Sequence, residues 1–352
     1  MKRRQLLTAA GLGLGAVALS ACSDQSATPV GEASQPDQRF RWKMVTSWPQ
    51  NFPGLGTTAQ RFAETVHNLS NGRLSVQVFA AGELVPALEV FDAVSSGTAE
   101  LGHSAAYYWK GKSPAAPFFT AVPFGMNAQE MNAWLYEGGG IELWQKAYAS
   151  MGVLPLPCGN TGVQMAGWFN KEINSLEDLR GLKIRMPGFG GEVLARAGAT
   201  TVNLPGSEIF SSLQSGVIDA TDWVSPYNDL AFGLHQAVKY YYYPGWQEPC
   251  AVLELSINQR AFEQLPVDLQ SIVREAARST NQTMLDEYTR RNAEALPDEV
   301  LERLRELSKQ VLEETADADA LNRQVWDSME AFKEKVWAYH AISEKSMYDL
   351  RG

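Results

Sequence analysis

The chain has 352 residues, 45% of them hydrophobic, which is enough to bury the cores of two lobes. Lys and Arg number 30 against 40 Asp and Glu; the formal net charge of −10 excludes the basic face that a nucleic-acid partner requires. The three cysteines, Cys22, Cys158 and Cys250, and the four scattered histidines form no CxxC pair, zinc spacing or triad motif.

The N-terminus reads as an address. Lys2-Arg3-Arg4 precedes an apolar, Gly/Ala-rich run from Leu6 to Ala21, which is too short and glycine-rich for a spanning helix and has the form of a secretory signal. Arg3-Arg4-Gln5-Leu6-Leu7 has a twin-arginine pattern apart from Lys2 before the pair, so both the twin-arginine and the general export route stay open. Leu19-Ser20-Ala21-Cys22 is similar to a bacterial lipobox. It predicts acylation of Cys22 and a periplasmic protein held to the membrane by lipid; the competing reading is an ordinary signal cleaved further on. Residues 23–38 hold few large apolar side chains and read as a flexible tether.

Phe40 to Trp48 is strand-like, and a Pro/Gly-rich loop runs from Pro49 to Gly56. A helix follows with Phe62, Val66 and Leu69 on one face and a stop at Asn71-Gly72. Leu74, Val76 and Val78 alternate with polar residues, as in a half-buried strand. Pro86 opens the next helix, with Val90 and Val94 inward and Gly97 as its stop. Strands alternating with helices predict an α/β fold.

The segment from Phe91 to Glu100 is echoed from Phe210 to Asp219. Both copies read as a helix end, a Ser-Gly stop and a strand opened by an acid. One copy in each half of the chain suggests two lobes of similar build. Loops at the carboxyl ends of strands line ligand clefts in open α/β sheets. The first copy delivers Ser104 to Trp109 to such a rim, and the second delivers Asp222, Trp223 and Pro226-Tyr227. From Pro297 the chain reads as helical, with one stripe at Leu304, Leu307 and Val311. A second stripe runs through Leu321, Val325, Met329, Phe332, Val336 and Tyr339, and Asp317-Ala318-Asp319 separates the two. The reading divides the chain into a signal (1–21), a tether (22–38), a first lobe (mainly 39–158) and a second lobe (mainly 159–221). Segments returning between lobes (222–296) and C-terminal helices (297–352) complete it.

Five ordered stretches resemble the extracytoplasmic binding proteins of TRAP-type (tripartite ATP-independent periplasmic) transporters. The most specific is Ser175-Leu176-Glu177-Asp178-Leu179-Arg180-Gly181-Leu182-Lys183-Ile184-Arg185. The others are Ala105 to Lys112, Gln164 to Phe169, Ile218 to Trp223 and Tyr241 to Trp246. The resemblance is nearest to the subgroup that binds 2-oxo and 2-hydroxy monocarboxylates with a cation. It implies a two-lobed periplasmic binding protein fold with the ligand cleft between the lobes and long C-terminal helices. It implies capture of a pyruvate- or lactate-like acid for a membrane permease, and no catalysis.

By that resemblance Arg185 holds the ligand carboxylate through two parallel hydrogen bonds; a surface salt bridge to Glu172 or Asp178 is the alternative. Asp222 has no basic neighbour in sequence. A calcium or sodium ion beside it would remove its repulsion of an anionic ligand, with Gln164, Trp223 and Glu248 as further oxygen donors. Gln247 is an alternative to Glu248. A divalent ion is expected if Glu248 ligates, and sodium if it does not. The family's usual residue at Asp222 is Glu, which leaves the ion's identity open. Tyr107 and Tyr108 can donate to a ligand oxygen, and Gln164, Trp223, Asn160 and Phe189 complete the expected substrate-binding wall. Cys158 and Cys250 lie in apolar strand-like runs and are expected to form a disulfide in an oxidising compartment. A homodimer through the C-terminal helices is expected. The rival class, an exported cofactor-dependent enzyme acting on a small carboxylate, lacks support from any dinucleotide loop, haem motif or nucleophile elbow.

Overall fold

The computed structural model describes residues 38–290, 292, 308–342 and 345. The expected signal, Cys22, the tether as far as residue 37, Leu304 and Leu307 lie outside those residues. No described helix is long and apolar enough to cross a membrane.

The unit that starts at Arg39 is built on two five-stranded sheets. The first comprises β1 (Phe40–Thr46), β2 (Leu74–Phe79), β3 (Leu101–Ser104), β4 (Val153–Asn160) and β10 (Val252–Asn258), in the order β2-β1-β3-β10-β4. The second comprises β5 (Gly167–Phe169), β6 (Lys183–Arg185), β7 (Thr200–Val202), β8 (Ala220–Thr221) and β9 (Tyr240–Tyr242), in the order β7-β6-β8-β5-β9. In each sheet the first three strands are parallel and the fourth is antiparallel to the third. The chain therefore crosses between lobes at 161–166 and again at 243–251. Residues 222–242, expected among the returning segments, carry the last strand of the second sheet.

Local sequence explains the elements. The helix α1 (Leu55–Leu69) buries Phe62 and Val66 against the sheet and ends where Asn71 and Gly72 take positive φ; Leu69, expected inward, lies 56% exposed on its last turn. The helix α2 (Val90–Ser95) starts later than Pro86, because residues 86–89 form a turn. Gly97 and Gly216, the glycines of the echoed segments, have φ of 79° and 72°, the left-handed conformation that ends a helix without a side-chain clash. The echo continues in the hydrogen bonds. Glu100 Oε2 accepts from Lys43 N (2.7 Å) in the first lobe, and Asp219 Oδ2 from Lys183 N (3.0 Å) in the second. Asn258 N donates to the Glu100 carbonyl (2.9 Å) and Asn170 N to the Asp219 carbonyl (3.0 Å).

Helices α3 (Ala128–Glu137) and α4 (Gly140–Tyr148) cover the first lobe, where α3 opens with a capping box between Asn127 and Glu130. In the second lobe α5 (Gly188–Arg196), α6 (Gly206–Gln214), α7 (Pro226–Ala231) and α8 (Leu234–Ala237) follow their strands. The short α9 (Gln259–Glu263) leads into α10 (Val267–Thr289), which packs on α1 and β4. Helix α11 (helical over 308–316) and α12 (Ala320–His340) are separated at Asp317-Ala318-Asp319, with Asp319 capping α12. They touch both lobes: Arg196 of α5 pairs with Glu314, and Trp326 packs on Phe118. Val325 and Met329 of the expected stripe are buried, whereas Tyr339 is exposed.

Cys158 and Cys250 are both buried and both free, so the expected disulfide is absent. The register explains it. Pro157 faces Glu254 across β4 and β10, which puts Cys158 opposite residues about three places along the chain from Cys250. Three residues of strand span about 10 Å, and a disulfide needs Cα atoms within about 7 Å.

Candidate ligand and cation site

Arg185 ends β6 beside Thr221 of β8 and is 1% exposed. Its guanidinium donates from Nη1 to Asp222 Oδ1 (2.9 Å) and to the Asp222 carbonyl (3.2 Å). Nη2 donates to Tyr108 Oη (3.1 Å), and Nε to the Leu204 carbonyl (3.3 Å). The Trp223 ring lies 5.3 Å from its Cζ. Asp222 thus has a basic neighbour in space that it lacks in sequence, and neither Glu172 nor Asp178 is the partner; Asp178 instead accepts from Ser175 N and Asn174 N. Four of the five guanidinium N–H groups are committed to protein oxygens. A ligand carboxylate can therefore take a single N–H without rearrangement, and a parallel pair only by displacing Tyr108 or Asp222.

The two crossing segments meet beside this pair. Gln164 N donates to the Glu248 carbonyl (3.1 Å) and Gly245 N to the Gln164 carbonyl (2.9 Å). A Cβ on Gly245 would collide with the Gln164 backbone, so only glycine lets the segments approach. Met165 N donates to the Val224 carbonyl (2.9 Å), which ties the loop after β8 to the same crossing. Four buried side-chain oxygens on these segments lack hydrogen-bond partners: Gln164 Oε1, Asp222 Oδ2, Gln247 Oε1 and Glu248 Oε2. The amide nitrogens of both glutamines are satisfied, by Thr161 Oγ1 (3.2 Å) and the Met165 carbonyl (2.8 Å), which fixes which atom is left free.

Unpaired buried acceptors are costly. Burial pushes Asp222 upward against the pull of Arg185, and pushes Glu248 well above the usual carboxylate range with the Asp222 charge adding to it. Carboxylate and amide oxygens are the donors that hard cations take. Among the described residues no three His, Cys, Asp or Glu side chains gather as a metal cluster. The donor set is two carboxylates and two amides, which fits calcium or sodium better than a transition metal.

Tyr107 and Tyr108 follow β3 on a single 3-10 turn with their rings 4.9 Å apart. Tyr108 joins Arg185. Tyr107 packs against Gly188, and burial raises its hydroxyl pKa well above the ordinary value, with Glu248 adding to it. Asn160 ends β4 with Oδ1 on Gly162 N (2.9 Å) and its Nδ2 unpartnered. Phe189 turns into the core against Phe118 (4.8 Å) and under Lys110 (5.7 Å) rather than onto the polar cluster. The Nε1 of Trp223 is buried and unpartnered.

Trp48 is a site residue that the pattern reading left in a strand. Its ring lies 6.4 Å from Tyr108 and 6.5 Å from Trp223, and its Nε1 donates to His103 Nδ1 (2.8 Å). Its place just past β1, at the same rim as Tyr108, was the available signal. Leu204 contributes only a carbonyl, for which no side-chain signal exists.

Residues 44–333 match the model of the family described as bacterial extracellular solute-binding protein, family 7. The chain belongs to that family. It is 44% identical to the monocarboxylate 2-oxoacid-binding periplasmic protein of Nostoc sp. (strain PCC 7120), over 98% of each chain. Two crystal structures of TRAP periplasmic solute-binding proteins superpose at a TM-score of 0.85 with 40% identity, covering 89% of this chain and 99% of each of theirs. One, from Pseudoalteromonas atlantica T6c, has bound sodium and pyruvate; the other, from Colwellia psychrerythraea, has bound calcium and pyruvate. This TRAP solute-binding protein therefore shares its fold with relatives that take a carboxylate and a cation together.

Proposed function

We propose that this solute-binding protein captures a small 2-oxo or 2-hydroxy monocarboxylate of the pyruvate type with a cation between its lobes, and passes the acid to TRAP-type membrane subunits. The observation that carries the reading is the set of four unpartnered oxygens beside a buried arginine. Arg185 supplies positive charge to the ligand carboxylate, and Tyr108 supplies a hydroxyl at the same place. The apolar faces of Trp48 and Trp223 exclude water, which strengthens the charge pairing. Asp222, Gln164, Gln247 and Glu248 would hold the cation, whose charge offsets that of the carboxylates. With Asp222 and Glu248 ionised, the pair of acids and Arg185 leave one negative charge, and the ligand adds another. A divalent ion balances both; sodium balances both only when Glu248 keeps a proton.

The N-terminal reading belongs to the same proposal: export by the signal at 1–21 and anchoring in the periplasm through lipid on Cys22. Trp337, Tyr339 and Ile342, at 45%, 61% and 77% exposure, support a homodimer in which a second copy covers the end of α12.

Calorimetry with pyruvate tests the site. Binding is expected with calcium or sodium present, and at least about tenfold weaker after chelation in sodium-free buffer. Full affinity without a cation would refute the cation, and no binding with either would refute the ligand class. Recovery of a converted product instead of pyruvate would assign catalysis. Light scattering on the same samples gives the number of subunits.

A further inference from the structure

Immediately after the cation loop the chain enters α7, and α7 reaches across to the other lobe. Tyr227 Oη donates to Glu287 Oε1 (2.6 Å), near the end of α10, and Tyr227 N donates to Asn292 Oδ1 (3.1 Å). Asn228 Nδ2 donates to the Pro53 carbonyl (2.6 Å) in the loop before α1. Glu287 is itself held by Arg61 of α1 (3.0 Å), so the acceptor is fixed to the first lobe by a second contact. Apolar packing runs beside these bonds: Phe52 of the first lobe lies 4.3 Å from Phe232 and 6.0 Å from Trp223.

The same segment is rigidly joined to the site. Asp229, one residue past the cross-lobe contacts, accepts from Val224 N (3.2 Å), Trp168 Nε1 (2.9 Å) and Tyr241 Oη (2.8 Å). These bonds bind α7 to the loop that carries Asp222 and Trp223, and to β5 and β9 beneath it. The contacts across the lobes and the Asp222 carboxylate therefore sit on one piece. Separating the lobes at α7 carries the Asp222 loop away from Tyr108 and Trp48.

We infer that Tyr227 and Asn228 are positioning residues that hold the cation loop against the first lobe and set how long a bound carboxylate stays. The inference rests on the proposed binding of a carboxylate with a cation. The bonds described for Tyr227 and Asn228 run to the first lobe and to Asn292, and each residue acts on the polar cluster through the loop that precedes α7. A bond that forms only with the lobes together slows release and leaves encounter unchanged.

Stopped-flow tryptophan fluorescence with pyruvate in calcium- or sodium-containing buffer reads both rates, since Trp48 and Trp223 flank the site. Tyr227→Phe keeps the ring against Tyr288 and removes one bond to a carboxylate. It is expected to speed release about tenfold, with association within about twofold of wild type. Glu287→Gln, on the opposite side, is expected to move release in the same direction and stands in if Tyr227→Phe does not fold. A contact with only a structural role would lower the melting temperature of the ligand-free protein and leave release unchanged. Unchanged release in a folded variant overturns the inference while the ligand reading stands. Failure of wild type to bind pyruvate with either cation overturns both.

Discussion

Val45 lies beside Gly102 in the first lobe, and Arg185 lies beside Thr221 in the second, at corresponding places in the same strand order. One residue further along the central strands, His103 corresponds to Asp222. The two pairs occupy equivalent strand ends, and their chemistry is opposite. In the first lobe the pair is an alkyl chain and a neutral imidazole, held by Trp48 on one nitrogen and the Cys158 carbonyl (3.0 Å) on the other. In the second it is a guanidinium and a carboxylate with unfilled oxygens around them. Strand order, glycine stops and acid-to-backbone bonds are common to both lobes, so those features belong to the scaffold. On the proposed function, what differs at the strand ends serves the ligand: the first lobe supplies Trp48 and the Tyr108 hydroxyl, and the second supplies Arg185 and Asp222 beside the Trp223 ring.

The largest test of this division is Arg185→Ala. Removing one member of a desolvated charge pair costs about 2–5 kcal/mol, so pyruvate affinity is expected to fall roughly thirtyfold or more. Asp222 and Glu248 would also be left without their cationic neighbour. Arg185→Lys recovers part of the loss, because lysine cannot serve Asp222, Tyr108 and Leu204 at once. Calorimetry showing a loss below about threefold, near 0.6 kcal/mol, would move the charge elsewhere and break the contrast between lobes.

Much of this was legible in the sequence because it is periodic or local. The strand of Leu74, Val76 and Val78, the stops at Gly97 and Gly216, and the break at Asp317-Ala318-Asp319 each follow from short-range chemistry. The echo of Phe91 to Glu100 in Phe210 to Asp219 foretold the repeated sheet. The pairing of Arg185 with Asp222 was not legible, since 37 residues separate them and only the parallel register of β6 and β8 brings them together. The free state of Cys158 and Cys250 is a matter of register too, and register leaves no trace in composition. Gln247 stood open beside Glu248 because nothing in the sequence says which amide nitrogens find backbone acceptors. The structure leaves an oxygen of each residue unpartnered.

A smaller effect separates the two central strands by pH. Burial lowers the folded-state pKa of His103 from 6.5 to about 4, against the raising effect of its bond to Cys158. Between those values the unfolded chain binds a proton that the folded chain does not. Stability is therefore full above 6.5 and is lost as pH falls toward 4, by up to about 3 kcal/mol. Asp229 and Glu254, each pushed up to about 7 by burial, act with the opposite sign over an overlapping range. The difference between wild type and His103→Gln isolates the imidazole. Urea denaturation is expected to show wild type losing ground to the variant between pH 7.5 and 4.5. A constant difference would mean that His103 takes up its proton equally in the folded and unfolded chain, and the first lobe would then carry charge at that strand end below about pH 6.5.

The smallest expected effect concerns what the lobes share. Glu100 and Asp219 are half-buried at the starts of corresponding strands, and each accepts from a backbone N–H of the neighbouring strand. Glu100→Ala frees one such N–H that water can reach, so the loss is about 1 kcal/mol or less. Asp219 also accepts from Asn170 Nδ2 (3.0 Å), so Asp219→Ala is expected to cost slightly more. Both acids lie at the ends of their strands opposite the cleft rim, and neither variant is expected to alter pyruvate affinity. Thermal denaturation and calorimetry on the two variants give both quantities. Matched small losses with unchanged affinity would identify the acids as repeated scaffold. A loss of affinity in Asp219→Ala alone would mean that the second lobe transmits strain from the foot of β8 to Asp222 at its head, three residues away, and that the scaffold is not independent of the site it carries.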